Sequence, residues 1–277
     1  MILFTADLDR TLIYSTRMMR KYPVVGEVLA IEHKGDEVVS LMSRRSMELL
    51  HQVNVNHHFV PVTTRSIDQY ERIQLFQQSI QPKYAITSNG GTLFVNGTPD
   101  AEWGKLIREK IVLTALPNEE MLQAFARIRH GEWVERERCM DGLFYLFYVD
   151  EARIPHAELA AFEKELFALG WRMFLQGRKL YVLPTCLNKA AAVAYLQESV
   201  DYDVHIAAGD SIMDYDMLIQ ADIGYSPRHG ELFKLQGNDA KITWLNEQGA
   251  TSAEELISNL LTMNKVELEV SKSGLNV

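Results

Sequence analysis

Asp7 and Asp9 stand two residues apart, at the end of the largely apolar run Ile2-Leu3-Phe4-Thr5-Ala6. The run reads as a strand, and side chains two apart on a strand point the same way. The pair therefore sits where the strand ends, which is the end at which ligands bind in an open α/β sheet. Two close carboxylates repel, so a site that keeps both ionised supplies a cation. A polar turn after a buried strand explains the same residues, and on the pair alone both readings stand.

Three more apolar runs end in polar groups. Thr63-Thr64-Arg65 follows HFVPV, Ser88-Asn89-Gly90-Gly91 follows KYAIT, and Gly209-Asp210-Ser211 follows DVHIAA, with Asp214 four residues past Asp210. Thr63 offers a hydroxyl and its turn offers backbone N–H groups near a helix start, a workable cradle for an anion. Lys189 opens an Ala-rich helix, where the helix dipole disfavours a cation. A bound anion relieves that conflict, although an exposed lysine at about 0.3 kcal/mol is also tolerable. Asp210 and Asp214 share one side of a loop-to-helix junction, where helix capping is the plainer role. Three or four carboxylates meeting at one sheet edge would make a hard-oxygen site suited to Mg²⁺. No His or Cys joins this set, which argues against zinc or copper.

The elements that must place these residues follow from the patterning. In the first half ILFTAD, HFVPVT and KYAITS read as strands separated by the helices SRRSMELLHQ and IDQYERIQLFQQ, the latter opened by a Ser66–Gln69 capping box. VLAIEH and DEVVSLM form a hairpin projecting after the first strand, and Asn96-Gly97 turns a second hairpin between TLFV and TPDAEW. Next, NEEMLQAFARIRH, WVERERC, LFYLFYV, PHAELAAFEKELFALG, WRMFLQ and KLYVLP read helix-strand-strand, twice. That order breaks the parallel alternation and marks a separate α+β module. Alternation resumes with NKAAAVAYLQES, DVHIAAGD, MDYDMLIQA, ADIGYS and KITWL and closes on the helix SAEELISNLLTMN, while VELEVSKSGLNV reads as weakly ordered. The expected fold class is α/β, a Rossmann-like parallel-sheet core formed by 1–98 and 184–277 around an inserted module over 99–183. Arg136, Arg138, Arg172, Arg178 and Lys179 lie on or beside the module's strands, where they face either a cavity or solvent.

Composition sets limits on partners. The 277 residues carry a net charge of −9, with 47% apolar and 23% charged residues, ordinary for a soluble globular protein. An acidic surface argues against broad nucleic-acid binding. No apolar run nears the ~20 residues of a membrane span, no leader pattern opens the chain, and Cys139 and Cys186 form no disulfide framework or zinc spacing. A cytoplasmic protein without nucleic-acid or membrane partners is expected; its oligomeric state is not legible.

The ordered series D-L-D-R-T, V-T-T-R, S-N-G-G, N-K-A and G-D-S-x-x-D resembles the haloacid dehalogenase (HAD) superfamily of phosphatases over nearly the whole chain. The module after S-N-G-G resembles the large α/β cap inserted between the second and third motifs, as in sucrose- and trehalose-phosphatase-like members. The resemblance implies a Mg²⁺-dependent phosphomonoesterase for a small phosphorylated metabolite, most readily a sugar phosphate. It implies Asp7 as nucleophile forming an aspartyl-phosphate, and Asp9 as acid/base. Thr63 and Lys189 would hold the phosphoryl group, and Arg65, Asn89 and Gly90 would contact substrate. Asp7, Asp9 through its backbone carbonyl, Asp210 and Asp214 would hold the metal. A phosphotransferase or phosphomutase shares every one of these residues, and a non-catalytic binding protein shares the fold. Arg10 stands where Gly is usual and Thr64 where the family has Thr-Gly-Arg, GYSPRHGEL lacks the usual Asn-Ala, and the first hairpin is long. These departures bear on the substrate more than on the chemistry.

Overall fold

The computed structural model describes residues 1–263, so the segment VELEVSKSGLNV lies outside the described residues. Strand β1 (Ile2–Ala6) is buried throughout. It is followed by the short helix α1 (Thr16–Lys21) and by the antiparallel hairpin of β2 (Val28–Lys34) and β3 (Glu37–Ser43). Helix α2 (Arg44–Asn56) starts at Ser43, whose side chain accepts the Ser46 N–H and so satisfies one orphan donor of the first turn. Strand β4 (His58–Pro61), helix α3 (Ile67–Glu71) and strand β5 (Tyr84–Thr87) come next. Ser66 and Gln69 form the expected capping box. The helix expected to continue from it is broken after Glu71, where Ile73 forms a β-bridge with Glu32 of the hairpin, and resumes as a π-helical turn over Leu75–Ser79.

Strands β6 (Thr92–Val95) and β7 (Thr98–Pro99) turn at Asn96-Gly97, both at positive φ (51° and 75°), the backbone that a two-residue hairpin turn requires. The strand-like reading of TPDAEW ends early. Asp100 accepts the Trp103 N–H and opens helix α4 (Ala101–Thr114), with Trp103 and Ile107 buried one turn apart. Helix α5 (Asn118–Ala126), strands β8 (Val134–Met140) and β9 (Phe144–Val149), helix α6 (His156–Ala168), and strands β10 (Trp171–Gln176) and β11 (Lys179–Pro184) then repeat helix-strand-strand. Their four strands form an antiparallel sheet in the order β10-β11-β9-β8. The chain returns through helix α7 (Lys189–Gln197), strand β12 (Val204–Ala208), helix α8 (Tyr215–Gln220), strand β13 (Ile223–Pro227), helix α9 (Glu231–Gln236), strand β14 (Ile242–Leu245) and helix α10 (Ala250–Thr262).

The central sheet is parallel, in the order β14-β13-β12-β1-β4, and β5 joins beyond β4 through a parallel bridge between Val62 and Ile86. From β1 the chain winds outward through β4, then crosses to β12 and winds the other way. The reversal places a crevice between the carboxyl ends of β1 and β12. Alternate residues of β1 feed opposite faces: Ile2, Phe4 and Ala6 enter one apolar cluster with Leu50 of α2 and Leu256 of α10, while Leu3 enters another with Val193 and Leu218. A third cluster lies between the antiparallel sheet and helices α5 and α6. No described helix is long and apolar enough to cross a membrane.

Candidate active site

The carboxyl end of β1 delivers the first acid. Asp7 N–H donates to the Ala208 carbonyl at 2.8 Å, so ladder pairing carries the chain one residue past the strand and fixes Asp7 at the crevice. The chain then turns sharply, with the N–H groups of Thr11, Leu12 and Ile13 all directed at the Leu8 carbonyl. Arg10 takes a φ of +69° in this turn, a region costly for a side-chain-bearing residue and natural for the glycine the motif usually has. Two contacts hold it there: His229 Nε2 lies 2.9 Å from the Arg10 carbonyl, and an Arg10 guanidinium nitrogen donates to the His229 carbonyl at 3.2 Å.

Lys189 is the hub of the site. Its ammonium donates to Asp7 Oδ1 and to Asp214 Oδ1, each at 2.6 Å, and the residue is 1% exposed. Thr11 Oγ1 donates to the other oxygen of Asp7 at 3.3 Å. The second oxygen of Asp214 accepts Ser211 N–H and Oγ, both at 2.9 Å. Gly209 permits this approach, since a Cβ there would lie 2.3 Å from Asp214 Cβ. Asp7, Asp210 and Asp214 are all buried, and one oxygen of each lies within 4.8 Å of the others. Arg10 Nε is 3.4 Å from Asp210 Oδ2, yet both atoms are buried without a hydrogen bond.

The electrostatics follow from crowding three acids out of water. Burial pushes the Asp7 carboxyl up to about 7, against the pull of Lys189 and helped by the charge of Asp214. Burial also raises Asp210 well above the carboxylate range, with Arg10 opposing and Asp7 adding to the rise. Burial works against the Lys189 ammonium, but Asp214 and Asp7 outweigh it and hold its pKa above that of a free lysine. The cluster is short of positive charge.

Asp9 lies elsewhere. Its carboxylate takes a two-pronged grip from Arg65, at 2.7 and 2.9 Å, and is not part of the acidic cluster. Arg65, expected on substrate, thus spends its guanidinium on Asp9, on buried Glu32 at 2.6 Å and on Ser40 at 3.0 Å. Thr63 is fully buried, and its Oγ1 accepts the Arg65 N–H at 3.1 Å. Asn89, at a φ of 56°, donates its N–H to the Thr63 carbonyl and its side-chain NH₂ to the Leu187 carbonyl, which leaves the buried Oδ1 without a partner. Gly90 packs so closely that a Cβ would meet the Asn188 carbonyl oxygen at 2.4 Å. The structure therefore gathers Asp7, Asp210 and Asp214, with Lys189 bridging Asp7 and Asp214, and ties Thr63, Asn89 and Gly90 to the segment that leads into Lys189.

Three participants escape a reading of the sequence. Glu32 comes from the projecting hairpin and anchors Arg65. Asp141, at the β8–β9 turn, accepts from Ser88 Oγ and from the Ile67 N–H. Tyr181 lies beside Thr64. Lys179, one of the module's cations singled out from the sequence, acts electrostatically on Asp9. A signal existed only for the turn, where Asp141-Gly142 is a hairpin pair.

Parallel sheet, acid-bearing strand ends and buried lysine together define a phosphatase of the HAD type. The family model described as sucrose-6F-phosphate phosphohydrolase matches residues 1–226, and the chain belongs to that family. Among solved structures it is similar to the sucrose-phosphatase of Synechocystis sp., in complex with sucrose and phosphate, at 18% identity and a TM-score of 0.68, covering 95% of this chain and 99% of that one. It is also similar to a haloacid dehalogenase-like hydrolase of Bacillus subtilis (14% identity, TM-score 0.54, 95% and 92% covered). The trehalose-6-phosphate phosphatase of Aspergillus fumigatus aligns at 17% identity and a TM-score of 0.53, covering 95% and 93%. No match was found among curated protein sequences.

Proposed function

We propose that this chain hydrolyses a sugar phosphate with Mg²⁺, through an aspartyl-phosphate on Asp7. The observation that carries the reading is the Lys189 ammonium held between Asp7 and Asp214 at 2.6 Å each, with the unpartnered Asp210 oxygen in the same pocket. Residues 1–98 and those from 184 onward act as the catalytic core, and 99–183 act as a cap over the strand ends.

The donor set fits a hard divalent ion. Three buried carboxylates, one with an orphaned oxygen, supply only oxygen ligands, the chemistry of Mg²⁺. Asp7, Asp210 and Asp214 would hold it, with Asp9 contributing its backbone carbonyl, and when bound the ion supplies charge neutralisation for the phosphoryl oxygens.

The residues of the chain divide the remaining work. Asp7 attacks phosphorus through one carboxylate oxygen while the bond to the leaving oxygen breaks. Asp9 gives that oxygen a proton, then takes one from the water that attacks the aspartyl-phosphate. The second attack breaks the bond to Asp7, frees phosphate and restores the carboxylate. Lys189 and the Thr63 hydroxyl hold the phosphoryl oxygens as charge builds. Asn89 Oδ1, buried and unpartnered, is free for a substrate hydroxyl, with Gly90 letting the backbone approach. Arg65 acts on substrate through Asp9.

The test is phosphate release, with Mg²⁺ present, from sucrose 6F-phosphate, trehalose 6-phosphate, hexose phosphates and p-nitrophenyl phosphate. Turnover of a sugar phosphate that vanishes in Asp7→Asn supports the reading, and turnover retained in that variant sinks it.

A further inference from the structure

The antiparallel sheet turns a charged wall toward the catalytic loops. Alternate residues of a strand face opposite ways. Phe147, Val149, Leu180 and Val182 pack into the cluster beneath α5 and α6. Leu146, Tyr148 and Tyr181 pack on the other side, against the cluster shared with the central sheet. The register puts Arg136 and Lys179 opposite Tyr148, and Arg138 opposite Leu146, all on that second side.

This wall is continuous with the catalytic residues. At the β8–β9 turn Asp141 accepts from Ser88 Oγ and the Ile67 N–H, Tyr181 lies beside Thr64, and Lys179 is an electrostatic neighbour of Asp9, Tyr181 and Tyr148. The Arg136 guanidinium sits 4.0 Å from the centre of the Tyr148 ring. A path of side chains thus runs from Asp9 through Lys179 and Tyr148 to Arg136.

The cations of the wall share one face of the sheet and meet no carboxylate; Arg108, Lys110, Lys164 and Arg172 of the module also meet none among the described residues. Arg127, Arg129, Arg153 and Arg178 of the same module each meet a carboxylate, on Glu165, Glu137, Glu132 and Glu135. Among the described residues Arg136, Arg138 and Lys179 have no ion pair, and Asp9, the carboxylate that acts on Lys179, is already taken by Arg65. A chain of net charge −9 has acids to spare, yet none is set against these three. Cations grouped without counter-charges on the wall of a cleft attract an anion. The transferring phosphoryl group is not that anion, because its place is at Asp7 and Lys189.

We propose that the leaving group of the substrate carries a negative charge of its own, a carboxylate or a second phosphate, seated on Arg136, Arg138 and Lys179. A neutral disaccharide would leave the three cations without a partner. This inference rests on the phosphomonoesterase reading and narrows its substrate to acidic sugar phosphates or bisphosphates.

Competition against p-nitrophenyl phosphate hydrolysis tests it with matched pairs. Glucose 6-phosphate is compared with 6-phosphogluconate, fructose 6-phosphate with fructose 1,6-bisphosphate, and glycerol 3-phosphate with 3-phosphoglycerate. The expected result is that in at least one pair the doubly anionic member inhibits at least about tenfold more tightly, and that Arg136→Gln and Lys179→Gln shrink that ratio to about threefold or less. A carboxylate preference and a phosphate preference are read from different pairs. Equal inhibition within every pair, or a ratio that both variants leave intact, overturns the proposal. Absence of p-nitrophenyl phosphate hydrolysis with Mg²⁺ overturns the phosphomonoesterase reading itself, and this proposal with it.

Discussion

Arg65 closes a fork on Asp9, with Nε 2.7 Å from Oδ2 and Nη2 2.9 Å from Oδ1. The fork has a backstop in Glu32, fully buried, which accepts Arg65 Nη1 at 2.6 Å, Ser40 Oγ at 2.6 Å and Arg72 at 3.1 Å. Burial favours a protonated Asp9, but the charge and hydrogen bonds of Arg65 outweigh it and hold the carboxyl at about 2. In this arrangement Asp9 is a carboxylate, ready to take a proton from water. Protonating a leaving oxygen requires Asp9 first to leave Arg65, which lets its pKa rise, and to take up a proton from solvent, so the clamp sets both the position of Asp9 and the ease of that exchange.

Glu32→Gln removes the negative charge from behind Arg65 and leaves Arg65 and Arg72 facing one another without it. General acid–base catalysis is worth roughly 10²–10⁴-fold and matters most for basic leaving groups. Turnover of an alkyl sugar phosphate is expected to fall about tenfold or more, while 2,4-dinitrophenyl phosphate, which needs no protonation, is expected to change by less than about threefold. Equal losses on both esters would reduce Glu32 to a scaffold residue.

Mg²⁺ is expected to stabilise the fold through Asp7, Asp210 and Asp214. At a hundredfold excess over Kd a ligand adds about 2.7 kcal/mol, which for a chain of this size is roughly 5–10 °C in Tm at about 2–4 °C per kcal/mol. Thermal melts with and without the ion measure it. Asp210→Asn is expected to lose most of the shift, and a shift unchanged in that variant would place the ion elsewhere.

Acid stability is tied to His205. Its Nε2 lies 2.8 Å from Thr5 Oγ1 and its Nδ1 3.2 Å from the Gln197 amide, a pairing suited to a neutral ring. Burial pulls its pKa down to about 4, with Asp222 opposing. The unfolded chain therefore binds a proton near pH 6.5 that the folded chain refuses until about 4. Stability is full above about pH 6.5 and falls as pH drops toward 4, by on the order of 1–3 kcal/mol from this residue. Denaturant melts at pH 7 and pH 5 are expected to differ less in His205→Gln than in the parent chain; an undiminished difference would assign the loss to other groups.

Much of this molecule is legible from local pattern, and the limits are physical. The strands ending at Asp7, Thr63 and Asp210 are short apolar runs between helices, and a parallel sheet buried on both faces requires that signature. Helix α4 hid because TPDAEW follows a hairpin turn, and only the Asp100 cap and the Trp103–Ile107 stripe mark the change. Helices α1 and α9 have six residues each, under two turns, with little periodicity to read. The Arg65–Glu32 pair joins residues 33 apart on an inserted hairpin and a catalytic loop, and spacing carries no trace of such a contact. Arg10 at positive φ was visible only as an unusual residue in a glycine position; the His229 contacts that hold it come from the far end of the chain.

The central claim is that Asp7 becomes phosphorylated, and Asp9→Asn offers the most direct view of it. Without its base, hydrolysis of the aspartyl-phosphate slows and the intermediate accumulates. Asp9→Asn is mixed with substrate and Mg²⁺, quenched in acid and mapped by peptide mass spectrometry. One phosphoryl group, labile to hydroxylamine, is predicted on the peptide that contains Asp7 and is absent from the Asp7→Asn/Asp9→Asn double variant. Phosphate release by the parent enzyme with no phosphoryl group trapped on that peptide, or with one trapped elsewhere, would contradict the account.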